Sequence, residues 1–262
     1  MSSIPAALGI DAGSATLKTV AVDNTGKMIA ALIEPTKPRI AEQAEQQIQA
    51  ILQQLGTNTD TQPPIVATGY GRKLVARATE HVTEITCHAK GVFHYFNHGG
   101  TLVDIGGQDS KVIVIGDNGH VVDFAMNDKC AAGTGRFLEH TAGRLDIDLE
   151  KMGELALKNE HPAHITSTCT VFAESEIISL LAEGTRTEDI LSGLHAALVA
   201  RLMGLVKSVG YHPPLMMSGG VANNKAIQVY LSRVLGGTAL VPEQPQLMGA
   251  YGAALVAMEL PS

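Results

Sequence analysis

Two aspartates in this chain stand immediately before glycine turns, in segments that repeat each other. Residues 8–27 read LGIDAGSATLKTVAVDNTGK and residues 101–120 read TLVDIGGQDSKVIVIGDNGH, so one constant offset places Asp11 on Asp104. Glycine lets a backbone turn and approach a ligand closely, and successive N–H groups in such a turn bind anions. Two carboxylates suit Mg²⁺, which takes one or two of them with phosphate oxygens and waters. The repeat therefore predicts a site for a nucleotide phosphate and its metal ion.

The two turns supply different candidate groups. We expect Asp11 and Asp104 to act as catalytic carboxylates that hold Mg²⁺ through water, and Gln108 to position the attacking water. Lys18 adds a positive charge to the first turn. The candidate phosphate contacts are Gly13, Ser14, Ala15, Thr16, Leu17 and Lys18 in the first copy and Gly106, Gly107 and Gln108 in the second.

A third glycine turn lies in the segment SGGVANN, which contains Gly219 and Gly220. A buried apolar run precedes it and a helical pattern follows, so it stands at a strand-to-helix junction where an adenosine could lie. We expect Asn223 in this segment, and Gln246 ahead of the last helix, to contact the nucleotide as well.

Two of the three cysteines stand where a turn-like sequence enters a helix: Cys130 in MNDKCAAGTGRFLEH and Cys169 in STCTVFAESEIISLL. The positive end of a helix favours a thiolate, so both are candidate ligands for a soft metal. A cubane iron–sulfur cluster usually takes four cysteines, which a two-fold dimer would supply. Spacing alone favours two small buried side chains over metal ligands. Cys87 lies outside both motifs, as a buried thiol or a reactive one.

The elements that must position these residues are typical of an α/β protein. Each Asp-Gly repeat predicts a strand, a tight turn, a strand, a second turn and a third strand. Apolar residues at helical spacing predict helices at about 41–55, 133–145, 150–158, after Cys169, at 187–209 and, rich in small residues, at 248–259. The segment NHGG predicts a boundary between a lobe of residues 1–98 plus about 240–262 and a lobe of residues 99–239.

Charge and composition exclude several classes of protein. The net charge is −7 and no basic run occurs, which argues against nucleic-acid binding, since phosphate neutralisation needs clustered Lys and Arg. The sequence predicts no signal peptide and no run of roughly 20 apolar residues that would span a bilayer. Three cysteines are an odd number and argue against a disulfide framework. We therefore expect a cytoplasmic protein that does not associate with a membrane.

The order of these motifs resembles that of the actin, heat-shock-chaperone and sugar-kinase superfamily. Two phosphate hairpins, an adenosine Gly-Gly motif and a closing small-residue helix follow one another over nearly the whole chain. The resemblance implies two lobes of ribonuclease-H-like topology that close around ATP.

Six segments together resemble the activator component of 2-hydroxyacyl-CoA dehydratases, which belongs to one family with the ATPase subunits of benzoyl-CoA reductase. They are LGIDAGSATLK, ATGYGR, DIGGQDSK, NDKCAAGTGRFLE, STCTVFAESE and SGGVANN. The resemblance implies a homodimer that binds ATP and holds one 4Fe–4S cluster through Cys130 and Cys169 of each copy. It also implies that a reduced ferredoxin or flavodoxin charges the cluster. ATP hydrolysis then drives a low-potential electron into a dehydratase or reductase partner.

Two other functions remain open at this point. A small-molecule kinase of the same superfamily would use Asp104 or Asp109 as a base beside an acceptor pocket, and would not depend on the cysteines. A non-catalytic assembly ATPase would form filaments in response to ATP.

Overall fold

A computed structural model describes residues 5–57, 63–128, 130–165 and 170–261. The chain forms two compact units. The first consists of Met1–Gly99, Ile115–Val122 and Pro242–Ser262, and the second consists of Gly100–Val114 and Asp123–Val241.

Nine strands and eight α-helices are named in chain order for the described residues. The strands are β1 (Ala7–Ala12), β2 (Thr16–Val22), β3 (Met28–Pro35), β4 (Ile65–Thr68), β5 (Glu80–His81), β6 (Gly100–Ile105), β7 (Ser110–Ile115), β8 (Val121–Asn127) and β9 (Leu215–Ser218). The helices are α1 (Ile40–Gln54), α2 (Glu84–Phe96), α3 (Gly135–Leu145), α4 (Met152–Ala156), α5 (Thr170–Ala182), α6 (Thr187–Val209), α7 (Lys225–Leu235) and α8 (Met248–Ala257).

The sheets of the two units share one strand order. The first sheet runs β3-β2-β1-β4-β5 and the second runs β8-β7-β6-β9, with an isolated bridge between Met216 and Leu240 beyond β9. β1 pairs antiparallel with β2 and parallel with β4, and β6 pairs parallel with β9. The repeated sequence segments therefore occupy equivalent strands, as the predicted strand–turn–strand pattern requires, and the predicted α/β fold with ribonuclease-H-like units is confirmed.

The first unit is closed by α8, the predicted small-residue helix. A Cβ atom on Gly9 of β1 would overlap the carbonyl of Ala250, and one on Gly252 would overlap the carbonyl of Cys87 in α2. Glycine at these positions lets α8 pack backbone to backbone against β1 and α2. On the other face of the unit, the apolar stripe of the helix predicted at about 41–55 is buried at Ala44, Ile48, Ile51 and Leu52, and Leu55 is partly buried against the same core.

The core of the second unit is built around α6, whose bounds match the predicted 187–209. Its buried residues include Ile190, Leu191, Leu194, Leu198 and Leu202. Within the described ranges, α6 is long and apolar enough to cross a membrane by length and composition alone, but 61% of its apolar window is buried inside the protein. Its apolar composition is thus accounted for by core packing. The predicted helix 150–158 is shorter than expected, because a 3₁₀ turn at Leu149–Lys151 precedes α4.

Candidate functional site

The first glycine turn carries an ion pair between adjacent strands. Asp11, near the end of β1, is 4% exposed and lies opposite Lys18 of β2 in the antiparallel register. The Lys18 Nζ donates to Asp11 Oδ2 at 2.8 Å. Lys18, which was predicted to bind phosphate, is therefore also the ion-pair partner of Asp11, which was predicted to hold magnesium.

Glycines from three parts of the first unit surround the Asp11 carboxylate. A Cβ on Gly69, where φ is +88°, would lie 2.7 Å from Asp11 Oδ1, one on Gly249 would lie 3.3 Å from Oδ2, and one on Gly13 would lie 3.7 Å from Oδ1. A Cβ at Gly69 would also lie 2.6 Å from the Ala12 carbonyl group, so any larger side chain there would overlap both the backbone and the carboxylate. Gly69 and Gly249 were not among the predicted site residues, although Gly69 is part of the ATGYGR motif.

The loop after Asp11 is fixed from β3 by the residue that follows that strand. Thr36 donates its hydroxyl to the Gly13 carbonyl at 2.7 Å and its backbone N–H to the Ala15 carbonyl at 3.0 Å. Ser14 and Thr16 are half-buried in this loop. Leu17 differs from the other predicted contacts, because its side chain is fully buried in the core of the first unit. It anchors the hairpin and offers no side chain to a ligand.

The second glycine turn is backed by a buried charge network. The Nζ of Lys111 on β7 donates to Asp109 Oδ2 at 2.7 Å and lies 3.5 Å from Asp104 Oδ2. The Ser218 hydroxyl donates to Asp104 Oδ1 at 2.7 Å. All four residues are buried, and the Lys111 side chain is only 2% exposed. Asp104 is thus held from two sides by β7 and β9.

The backbone of the same turn is joined to the start of α3. The carbonyls of Gly106 and Gly107 accept the N–H groups of Gly135 and Arg136 at 2.8 and 2.9 Å. Gln108 is exposed at the tip of the turn. Its side chain therefore projects from the hairpin without being fixed by the core.

The third glycine turn meets the second one within the same unit. Gly219 is buried with φ +84°, and a Cβ there would lie 3.0 Å from Asp104 Oδ1. A 3₁₀ turn, Gly220–Asn223, follows and leaves Asn223 exposed. Gln246, the other predicted nucleotide contact, is half-buried in the 3₁₀ turn Pro245–Leu247 of the first unit.

Asn224, directly after this turn, connects the Gly-Gly motif to α6. Its Oδ1 caps α7 by accepting the N–H groups of Ala226 and Ile227 at 3.0 and 3.2 Å. Its Nδ2 lies 2.9 Å from Nε2 of His195 on α6. His195 is fully buried, and this burial lowers the pKa of its imidazole to about 4. Neither residue was predicted, because a histidine inside an apolar helical stripe carries no signal that distinguishes its partner.

Cys130 is exposed, and its backbone is held by one side chain. Asn127 donates to the Cys130 carbonyl at 2.8 Å and accepts from the Cys130 N–H at 3.2 Å. The Nη1 of Arg201 on α6 lies 3.8 Å from the Cys130 Sγ. The cysteine precedes a 3₁₀ turn, Ala131–Gly133, and α3 begins at Gly135, slightly later than the predicted start of this helix at about 133.

The other two cysteines differ in what the structure describes of them. Cys169 lies outside the described residues, immediately before α5. Cys87 of α2 is fully buried, and burial raises the pKa of its thiol to about 12. It is a buried thiol, one of the two alternatives that the sequence left open. Within the described part of the chain, no three His, Cys, Asp or Glu side chains are placed to hold a metal ion together.

Comparison with known proteins identifies the family. Residues 8–257 match the BadF/BadG/BcrA/BcrD ATPase family. The chain belongs to this family of ATPases. The resemblance noted from the six sequence segments is thereby confirmed, together with the actin-like and sugar-kinase fold.

Several dehydratase activators are similar to this chain over nearly their whole length. The chain is 38% identical to the 2-hydroxyisocaproyl-CoA dehydratase activator of Clostridioides difficile, over 96% of this chain and 94% of that protein. It is 39% identical to the (R)-2-hydroxyglutaryl-CoA dehydratase activating ATPase of Acidaminococcus fermentans, over 95% and 96%. A solved structure of the activator of the 2-hydroxyisocaproyl-CoA dehydratase from Clostridium difficile, with bound ADPNP, superposes with a TM-score of 0.89 over 97% of this chain and 94% of that one.

Proposed function

We propose that this member of the family is an ATP-driven reductive activator. Two copies hold one 4Fe–4S cluster, bind ATP with Mg²⁺, and pass a low-potential electron to a 2-hydroxyacyl-CoA dehydratase or a related reductase. The observation that carries the proposal is Cys130, an exposed thiol beside Arg201 in an ATPase-family chain with duplicated phosphate turns. The names of the similar activators support the choice of partner.

The residues around the two aspartates fit a nucleotide with its metal ion. Asp11 and Asp104 are buried carboxylates, each with a lysine ammonium beside it and with glycines whose lack of a side chain lets the backbone approach the carboxylate closely. We assign to them the holding of Mg²⁺ through water. The ion would stabilise the charge on the transferred phosphoryl group.

In the second turn, Gln108 orients the water that attacks the γ-phosphate. The O–P bond to ADP breaks as the bond to water forms, and the products are ADP and phosphate. The backbone N–H groups of the glycine turns and Lys18 bind the phosphates, while Gly219, Gly220, Asn223 and Gln246 contact the nucleotide.

The surroundings of Cys130 fit an iron–sulfur ligand. Its sulfur is exposed, its backbone is fixed by Asn127, and the Arg201 guanidinium lies 3.8 Å from the sulfur. With Cys169 as the second ligand, two copies supply the four thiolates that a cubane needs. The cluster would accept one electron from a reduced ferredoxin or flavodoxin and donate it to the partner enzyme. We place this chemistry in the cytoplasm.

The first test is the iron and acid-labile sulfide content of anaerobically purified protein. We expect about four irons per dimer and their loss in Cys130→Ala. Cys87→Ala is the matched control, because Cys87 is buried away from the exposed thiol, and it should keep its iron.

The opposite result favours the kinase alternative. Protein without iron under strict anaerobiosis, with ATP turnover unchanged in Cys130→Ala, would refute the activator proposal. Screening of phosphoryl acceptors would then be the next experiment.

A further inference from the structure

One helix of the second unit contacts two of the candidate sites. At His195, α6 contacts Asn224, which follows the Gly-Gly motif, at 2.9 Å. At Arg201, six residues further along, it contacts the Cys130 Sγ at 3.8 Å. Helical rise places these two contacts about 9 Å apart along the axis.

The first contact is fixed on both of its sides. His195 Nδ1 lies 2.7 Å from the Leu191 carbonyl, which can only accept, so the ring carries its proton on Nδ1 and Nε2 accepts from Asn224. The lowered pKa of the imidazole keeps it neutral near pH 7. Asn224 uses its oxygen to cap α7 at the same time. A shift of the Gly-Gly motif therefore reaches α6 through one short side chain.

The second contact is a side chain that reaches over to a clamped backbone. Asn127 bonds both the N–H and the carbonyl of Cys130, so the peptide at this position is held independently of α6. Arg201 is half-buried on α6 and supplies a group that touches the sulfur. Movement of α6 thus changes the surroundings of the sulfur more readily than the position of the backbone.

The segment of α6 between the two contacts is packed into the core. Leu194, Leu198 and Leu202 are buried in the core of the second unit, and packed interiors transmit displacement with little compression. A helix anchored in this way moves as one body.

We infer that α6 couples the nucleotide state of the Gly-Gly motif to Cys130, with His195 and Arg201 as positioning residues at its two ends. The inference deepens the proposed function and rests on it in taking Cys130 as the cluster ligand. Nucleotide at the motif fixes Asn224, Asn224 holds α6, and Arg201 is then kept on the sulfur. The thiol is shielded more in the nucleotide-bound state than without nucleotide.

The test uses iron-free protein carrying Cys169→Ala, so that Cys130 is the exposed thiol and Cys87 is buried. Alkylation of the Cys130 peptide by iodoacetamide is followed by mass spectrometry with and without saturating ADPNP and Mg²⁺. We expect ADPNP to slow alkylation by about fivefold or more, the lower end of ordinary coupling between two sites. Arg201→Gln should bring the ratio of the two rates close to one.

Lys207→Gln is the matched control, since it removes an exposed cation from the same helix, and it should keep the ratio. The inference is overturned if ADPNP does not change the alkylation rate in the parent. It is also overturned if the ratio of the two rates is the same in Arg201→Gln as in the parent.

A measurement without the Arg201 variant guards against its failure to fold. Protein alkylated at Cys130 should bind ADPNP more weakly than protein with a free Cys130 thiol, because the alkyl group keeps Arg201 from the sulfur. Equal affinities would also overturn the inference. None of these measurements needs the cluster. Absence of iron in the earlier experiment therefore refutes the activator function alone, and an alkylation rate that does not change with nucleotide refutes the role of α6 alone.

Discussion

Replacing Lys111 with Met should destabilise the second unit strongly. The Lys111 ammonium lies 2.7 Å from Asp109 Oδ2 and 3.5 Å from Asp104 Oδ2, and the exposed fractions of the three side chains are between 2% and 8%. Methionine fills a similar volume but leaves two buried carboxylates without their cation. Removing one partner of a buried ion pair costs about 3–5 kcal/mol, and we expect a loss of unfolding free energy in that range.

A double-mutant cycle separates the charge network from packing. Asp109→Asn should cost less than Lys111→Met, because Lys111 keeps Asp104 as a partner. The variant with both changes has lost a cation and an anion together. Its cost should be roughly 0.5–3 kcal/mol smaller than the sum of the two single costs, the usual range for residues in one network.

Guanidinium chloride unfolding followed by circular dichroism measures these costs. The matched control is Arg39→Met, which breaks the exposed ion pair with Glu42, where the side chains are 80% and 62% exposed. Such pairs contribute about 0–1 kcal/mol. If Lys111→Met costs no more than Arg39→Met, or if the cycle is additive, the assignment of Lys111 as the support of Asp104 is wrong.

Three further predictions concern single buried positions. Between pH 7 and pH 4, wild type should lose about 3 kcal/mol more stability than His195→Gln, because the unfolded imidazole binds a proton near pH 6.5 and the folded one only near pH 4. Urea unfolding across this range tests it, and a difference in unfolding free energy between the two proteins that stays constant with pH would contradict it. Cys87 should resist iodoacetamide at pH 8 until denaturant is added, since its thiol stays protonated; equal labelling rates in native and denatured protein would argue against this. Gly252→Ala should lower stability by about 1–3 kcal/mol or more, because its Cβ would overlap a backbone carbonyl. Gly204→Ala on α6 should not lower stability, because no atom lies within 4 Å of its Cβ, and thermal melts distinguish the two variants.

Much of the fold follows from local patterns in the sequence. The duplicated Asp-Gly segments predict β1–β2 and β6–β7 because turn chemistry and alternating apolar residues act over only a few positions. The bounds of α6 follow from a long apolar stripe at helical spacing. The order of the motifs also identifies the family, since the spacing of glycines and cysteines is itself a property of the sequence. The roles assigned to Gln108, Asn223 and Gln246 remain predictions.

The supports of the candidate sites depend on the tertiary structure. Gly69 and Gly249 reach Asp11 from distant parts of the chain, and Ser218 reaches Asp104 across a parallel strand pair. No local pattern shows that Lys111 is buried between two carboxylates rather than solvated. The contact of Arg201 with Cys130 likewise exists only because α6 packs into the core at one particular rotation. The sequence by itself determined which groups are candidates for binding phosphate, magnesium and iron. The tertiary structure decided which of them have partners, because each partner is brought within bonding distance by packing between elements far apart in the chain.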